Sequence, residues 1–264
     1  WSMRTVVQDK IPVALVTGGT GTLGLAITER LLRENFAVMM LARSEYKLYN
    51  AFSMFRDKYP MTILQKYACD VTNEDDVLNA INNMESIAGG IGLLVNCHGA
   101  TPNIKSALDL SINEFRHIIE TDLVGSFNTC RQVGKGMISR GFGRIINISS
   151  IHSVATYPGR AAYASAKSGV VGLTKALAIE WAQYGVTVNA VSPGQVKSHR
   201  TTNLNGHQMS DVLKRIPSGK LVDAKDIAGM VISLYNNGSI TGQNLIIDGG
   251  HLSSCYYMPF GEVN

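Results

Sequence analysis

Thr17-Gly18-Gly19-Thr20-Gly21-Thr22-Leu23-Gly24 follows the apolar run Val13-Ala14-Leu15-Val16 and leads into Ala26, Ile27 and Leu31 at helical spacing. Gly19, Gly21 and Gly24 satisfy G-x-G-x-x-G between a buried strand and a helix, the context in which that pattern carries meaning. The glycines permit a tight turn and a close approach of backbone to a pyrophosphate, while the helix N-terminus attracts the anion. The stretch predicts a dinucleotide site with Gly18, Thr20, Gly21, Thr22, Leu23 and Gly24 as cofactor contacts.

Outward from the loop, short apolar runs alternate with helical patterns along the chain. Strands are predicted over 13–16, 37–41, from Ile63-Leu64, over 91–96, 144–148, 186–191 and 244–247. Helices are predicted over 45–58, 112–139, 161–183 and 224–236, and Thr72-Asn73-Glu74-Asp75-Asp76 reads as a cap followed by acids in a first turn. Strands that are apolar throughout are buried on both faces, which requires a parallel sheet with helices on each side. The expected fold class is α/β, a single-domain, doubly wound Rossmann fold with a seven-stranded parallel sheet. At about 150 residues per domain, the 264 residues fall between one domain and two. No linker, repeat or low-complexity segment interrupts the alternation, so one domain is expected.

The expected bounds are an N-terminal extension over 1–10, the domain over 11–255 with a substrate lid at 195–217, and a C-terminal tail over 256–264. Trp1 is no natural initiator, so the first two or three residues are expected to be vector-derived. A chain with 45% hydrophobic and 17% charged residues has a well-buried core and is not disordered. The net charge of +4 is scattered, which excludes a basic stripe for nucleic acid. Cys69, Cys97, Cys130 and Cys255 form no CxxC pair, so neither a disulfide framework nor a metal site is expected. No run approaches the ~18 apolar residues of a membrane span, and a cytoplasmic location is expected.

The end of the second strand selects between dinucleotides. An NAD site places an acid there to bond the ribose 2′-hydroxyl, whereas this chain has Ala42 and Arg43. A guanidinium suits a 2′-phosphate, so NADP(H) is expected in preference to NAD(H). Further on, Tyr163 and Lys167 stand at i and i+4 and share a helix face. A cation beside a phenol makes it a usable proton donor or acceptor near neutrality. Ser150 ends the fifth strand, at the carboxyl edge where such sheets bind ligands.

With these motifs in order the chain resembles the short-chain dehydrogenase/reductase family. The resemblance is carried by the glycine loop, Asp70-Val71, Asn96-Cys97-His98-Gly99, Ser150, Tyr163 with Lys167, Asn189 to Gly194, and Ile240-Thr241-Gly242 with Asp248-Gly249-Gly250. It implies that Tyr163 is the general acid in ketone reduction and that Ser150 bonds the substrate oxygen. Lys167 would hold the nicotinamide ribose and lower the phenol pKa. Asp70 and Val71 would contact adenine, Asn96 and Gly99 the central ribose region, and Pro193, Gly194, Val196 and Ser198 the nicotinamide.

Three positions depart from the family pattern. Thr22 stands where the family's loop has glycine, and Cys97-His98 replace the usual pair before Gly99. Asp122, in Asp122-Leu123-Val124-Gly125-Ser126-Phe127, replaces an Asn that holds a water relay to the catalytic lysine. An ionised Asp122 near Lys167 would offset the lysine's effect on Tyr163, shift the pH–rate profile upward, and join the catalytic set.

The lid stretch Lys197 to Asn205 is strongly polar. With His152, Gln195, His199 and Arg200 as candidate substrate contacts, it predicts a small polar, even anionic, substrate. The expected activity is NADP(H)-dependent interconversion of a ketone and a secondary alcohol. One alternative is a 3-oxoacyl-[acyl-carrier-protein] reductase, for which Arg140 and Lys175 are the available docking cations. A second is a non-catalytic NADP(H) sensor, suggested only by Asp122. The expected partners are a small-molecule substrate and further copies of the chain in a homotetramer or homodimer, with neither nucleic acid nor membrane.

Overall fold

Alternate residues of one strand feed two separate cores, which is why the apolar runs are unbroken. A computed structural model describes residues 11–100 and 104–254, so the expected N-terminal extension and the 256–264 tail lie outside the described residues. The strands are β1 Val13–Thr17, β2 Ala37–Ala42, β3 Leu64–Ala68, β4 Leu93–Asn96, β5 Gly143–Ile148, β6 Val186–Pro193 and β7 Asn244–Ile247. They form one parallel sheet in the order β3-β2-β1-β4-β5-β6-β7. The first six α-helices are α1 Thr22–Arg33, α2 Glu45–Lys58, α3 Glu74–Ala88, α4 Ile112–Ile119, α5 Gly125–Arg140 and α6 Ala161–Trp181. The short α7 His199–Thr202 and α8 Gly206–Leu213 precede α9 Ala224–Asn236.

On one sheet face Ala14 and Val16 pack with Ile27 and Leu31 of α1 and Ile227 and Val231 of α9. On the other, Val13 and Leu15 pack with Val77 and Ile81 of α3, Val133 and Met137 of α5, and Leu177 and Trp181 of α6. Each buried Leu or Ile contributes about 1.5–3 kcal/mol by removal from water, so the two-sided sheet is the main stabilising device. Helix starts are read locally: the Asn73 side chain accepts the N–H groups of Asp75 and Asp76, and Glu74, Asp75 and Asp76 fill the first turn of α3. Gly141, at φ 69°, ends α5 in a left-handed turn.

Two expectations are corrected. The strands are not all apolar: β3 carries Gln65 and Lys66 and lies at the sheet edge, and the opposite edge strand β7 is only partly buried. An edge strand has one neighbour, so its side chains reach water. The helix expected over 112–139 is also broken, with a π-helical segment over Glu120–Val124 between α4 and α5. There the Gly125 N–H reaches Glu120 O, five residues back, and the Ser126 hydroxyl donates to Asp122 O at 2.7 Å. Such widened turns are frequent at functional sites, and this one contains Asp122.

The strand order reverses between β1 and β4, so the chain leaves the sheet in opposite directions from these two neighbours. That opens a crevice at their carboxyl ends, where open α/β sheets bind ligands. A cavity of about 680 Å³ lies at this edge.

Candidate active site

The cofactor side of the cavity is made by the β1–α1 loop. Gly21, Thr22, Leu23 and Gly24 line it, opposite Cys97, His98 and Gly99 at the end of β4. Gly18 holds φ 63°, and a Cβ there would stand 2.7 Å from Cys97 O. A Cβ on Gly24 would run into Gly18 O. α1 starts at Gly21 without a side-chain cap, leaving first-turn N–H groups for an anion. These features fit a dinucleotide pyrophosphate, with the loop glycines and the α1 N-terminus as its seat.

The remaining expected cofactor residues divide. Pro193, Gly194, Val196 and Ser198 line the cavity beyond β6. Gly18, Thr20, Arg43, Asp70, Val71 and Asn96 do not line it. Arg43 is exposed at the end of β2, and its charge reaches Asp70. Burial raises the Asp70 carboxyl, but hydrogen bonds from Thr72 and the charge of Arg43 hold it below its ordinary value. Asn96 departs from its expected ribose contact. Its side chain is buried, accepts from the Thr129 hydroxyl at 2.7 Å and donates to Asn147 Oδ1 at 2.9 Å, tying β4 to α5 and β5.

His98, at one end of the crevice, is fixed by Thr17 Oγ1 at 2.6 Å and Ser126 Oγ at 3.3 Å. Burial and the charge of Lys167 push its pKa down to about 3. It is a neutral tie between β1 and α5 rather than a base waiting for a proton.

Ser150, Tyr163 and Lys167 share the cavity. Ser150 follows β5 and its Oγ accepts the His152 N–H at 3.2 Å, capping the short turn Ile151–Ser153. Tyr163 lies in the first turn of α6, with Lys167 Nζ 5.8 Å from its ring centroid. Ser149 Oγ donates to Lys167 O at 3.0 Å, pinning α6 to the end of β5.

The Lys167 ammonium is buried, donates to Ile148 O at 3.2 Å, and stands 3.3 Å from Asp122 Oδ2. Burial alone would push this ammonium down, but Asp122, then Tyr163, reverse that and hold it above its ordinary value. The Asp122 carboxylate is fully buried and accepts the Ala100 N–H at 2.6 Å through Oδ1. Its Oδ2 meets the ammonium as an ion pair rather than an aligned hydrogen bond. Gly99 opens this pair to the crevice, since a Cβ there would stand 3.2 Å from Asp122 Oδ2 and 3.3 Å from Lys167 Nζ.

The other side of the cavity is aromatic and polar. The His152 ring meets Tyr157 and Tyr163 edge-on, with centroids 4.6 and 5.7 Å away, and its Nδ1 is 3.0 Å from Thr156 Oγ1. Burial, with the charge of Arg160, lowers the His152 pKa to about 4, so it too is neutral near pH 7. Gln195 lies 3.5 Å from the Tyr157 hydroxyl.

The polar lid is corrected in part. Thr202, Asn203 and Asn205 are exposed, and the lid turns Thr201, Leu204 and Val212 to the cavity instead. The side chains of His199 and Arg200 lie outside the described residues. Tyr157 and Arg160 line the cavity without having been anticipated. Their only signal was composition, as the one tyrosine and the one cationic residue between Ser150 and Tyr163.

A parallel sheet in this order, a glycine loop at its switch point and a Ser-Tyr-Lys set at its edge together define the class. The chain belongs to the short-chain dehydrogenase/reductase family. The family described as "Enoyl-(Acyl carrier protein) reductase" matches residues 19–251. The chain is 35% identical over 241 residues to the 3-oxoacyl-[acyl-carrier-protein] reductase FabG of Rickettsia bellii, covering 90% of this chain and 96% of that protein. It is 35% identical to the acetoacetyl-CoA reductase of Allochromatium vinosum, covering 90% and 97%. Among solved structures it is similar to a gluconate 5-dehydrogenase from Burkholderia cenocepacia in complex with NADP and tartrate. That match has a TM-score of 0.84 and 30% identity, covering 92% of this chain and 96% of the other.

Proposed function

We propose that the protein is an NADP(H)-dependent oxidoreductase that interconverts a ketone and a secondary alcohol on a small polar substrate. The observation that carries this reading is the meeting of Ser150, Tyr163 and Lys167 in one cavity that the glycine loop also lines. Bound NADPH would supply the hydride, while the protein supplies position and the proton. Ser150 Oγ, held by the capped turn after β5, hydrogen-bonds the ketone oxygen. The Tyr163 hydroxyl gives its proton to that oxygen as negative charge develops there. Lys167 keeps a positive charge behind the phenol and, with one N–H given to Ile148 O, has donors to offer toward the ribose. The exposed Arg43 at the end of β2, where an NAD site would place an acid, supports NADP(H) over NAD(H).

The test is NADPH oxidation followed by absorbance across polar ketones. Tyr163→Phe is expected to lower kcat at least a hundredfold with the Kd for NADPH little changed. Arg43→Ala is expected to lower the preference for NADPH over NADH. A phenylalanine variant that turns over normally would defeat the reading.

The likeness to the FabG and acetoacetyl-CoA reductases favours a second reading, reduction of a 3-oxoacyl thioester. Against carrier docking, the Arg140 guanidinium is engaged by Glu85 at 3.2 Å and Ile91 O at 2.7 Å. Turnover of an acetoacetyl thioester in preference to every small ketone would favour this reading. Exposed apolar residues around α4 and α5 (Leu108, Ile112 and Phe127) support assembly as a homotetramer or homodimer. Among the described residues no helix is long and apolar enough to cross a membrane.

A further inference from the structure

His98 takes no part in the proton transfer, yet its ring joins the end of β4 to the widened turn at Glu120–Val124. The place of the ring proton follows from its partners. The Ser126 hydroxyl donates to Asp122 O at 2.7 Å, so toward His98 Nε2, 3.3 Å away, it can only accept. Nε2 therefore carries the N–H. On the other side Thr17 Oγ1 accepts the Cys97 N–H at 3.1 Å and lies 2.6 Å from His98 Nδ1. Its own hydrogen goes to Nδ1, since the competing acceptors, Asn96 Oδ1 and Val95 O, are 3.4 and 3.5 Å away. One neutral tautomer satisfies both contacts. Burial and the charge of Lys167 keep the ring in that form, while Asp70 and Arg43 act in opposite senses.

The same N–H answers a carbonyl that the widened turn releases. In a regular α-helix the Gly125 N–H would bond Thr121 O, but here it reaches Glu120 O. The Thr121 backbone favours a proton on the His98 ring, as a carbonyl accepting a ring N–H does. Gly125 leaves the ring room to reach it, since a Cβ there would stand 3.3 Å from Nε2. Ser126, the ring's other partner on this side, is the residue whose hydroxyl closes onto Asp122 O. Asp122 thus lies between two anchors, one at Thr121 and one at Ser126.

We infer that His98 is a positioning residue: its neutral ring, with the proton on Nε2, holds the widened turn so that the Asp122 carboxylate meets Lys167 and the Ala100 N–H. The inference deepens the ketoreductase reading and rests on it for its kinetic arm alone.

Two substitutions separate the two sides of the ring. His98→Asn keeps a polar group at the position of Nδ1, toward Thr17, but falls short of the helix. His98→Gln puts an amide N–H where Nε2 stands and keeps the helix side. The Ala100 amide reports the carboxylate directly, because its N–H donates to Asp122 Oδ1 at 2.6 Å. Its hydrogen exchange, followed by NMR on the full chain, is expected to quicken about five- to tenfold in His98→Asn. In His98→Gln it is expected to stay at the parent's rate. With NADPH and the best of the polar ketones, the pH profile of kcat/KM in His98→Asn is expected to move toward that of Asp122→Asn. Adding His98→Asn to Asp122→Asn is then expected to change the profile no further. A parent-like Ala100 amide in His98→Asn, equal effects of the two His98 variants, or additive effects with Asp122→Asn would each overturn the inference. The ring nitrogen shifts of the parent at pH 7 need no variant: a proton on Nδ1, in the other tautomer or in an imidazolium, overturns it too. If no ketone turns over while the Ala100 amide still separates the two variants, the ketoreductase reading fails and the positioning role stands.

Discussion

Asp122 is the counter-ion of the buried Lys167 ammonium. An amide at this position would leave the ammonium with no counter-ion, whereas the carboxylate offsets it at 3.3 Å. The lysine's raised pKa means that the pair's contribution to stability is complete below the ordinary lysine value, and is lost only as pH climbs through the raised one. Asp122→Asn keeps an oxygen to accept the Ala100 N–H but removes the negative charge. The kcat/KM profile against pH is expected to differ from the parent's, because the buried Lys167 ammonium then stands uncompensated beside the site. Asp122→Ala, which strands a buried ammonium, is expected to cost about 3–5 kcal/mol in denaturant unfolding. A pH profile identical in the Asn variant and the parent would show that the carboxylate only holds the backbone of Ala100.

Helices α5 and α6 approach closely because Gly134 lies beneath the buried Trp181 ring, where a Cβ would come 2.7 Å from Cη2. Gly134→Ala gains at most about 1 kcal/mol of helix propensity against about 1–3 kcal/mol of overpacking, so its Tm is expected to fall. Gly229→Ala in α9, where the new methyl would meet nothing within 4 Å beyond its chain neighbours and the helix's own backbone, is expected to raise Tm by the equivalent of up to about 1 kcal/mol. A Gly134→Ala protein as stable as its parent would mean that the indole moves aside freely. The same packing explains what could be read from the chain beforehand. Interior strands such as β1 and β2, buried on both faces, leave unbroken apolar runs, while edge strand β3 with Gln65 and Lys66 does not. The π segment was invisible because one widened turn leaves apolar spacing on either side intact. Ser150, Tyr163 and Lys167 were legible because a strand end and an i, i+4 pair have fixed geometry. Arg160 and Tyr157 were not, since the loop that carries them has composition but no period.

At the scale of the whole molecule, the carboxyl edge of a single sheet carries both the glycine loop and the Ser150, Tyr163 and Lys167 set, and two neutral histidines are built into the walls. His98 has a pKa near 3, depressed by burial and by Lys167, with smaller opposed effects from Asp70 and Arg43. His152 has a pKa near 4, depressed by burial, Arg160 and His251. In the unfolded chain both take up protons below about 6.5. Between that pH and about 4 the unfolded state binds more protons than the native one, so stability falls as pH falls. Near pH 5 the loss is on the order of 2 kcal/mol for each histidine, a large share of the 5–15 kcal/mol typical of a domain. Glu29 and Glu114, held near 2 by hydrogen bonds from Lys58 and from Ser111 respectively, add their own acid loss only below the ordinary carboxylate range. The window from about pH 6.5 down to 5 therefore belongs to the histidines. Urea midpoints at pH 7 and pH 5 are expected to differ clearly for the parent and less for His152→Gln, because glutamine has no proton to gain on unfolding. An equal pH 7-to-5 drop in the two proteins would place the acid sensitivity elsewhere.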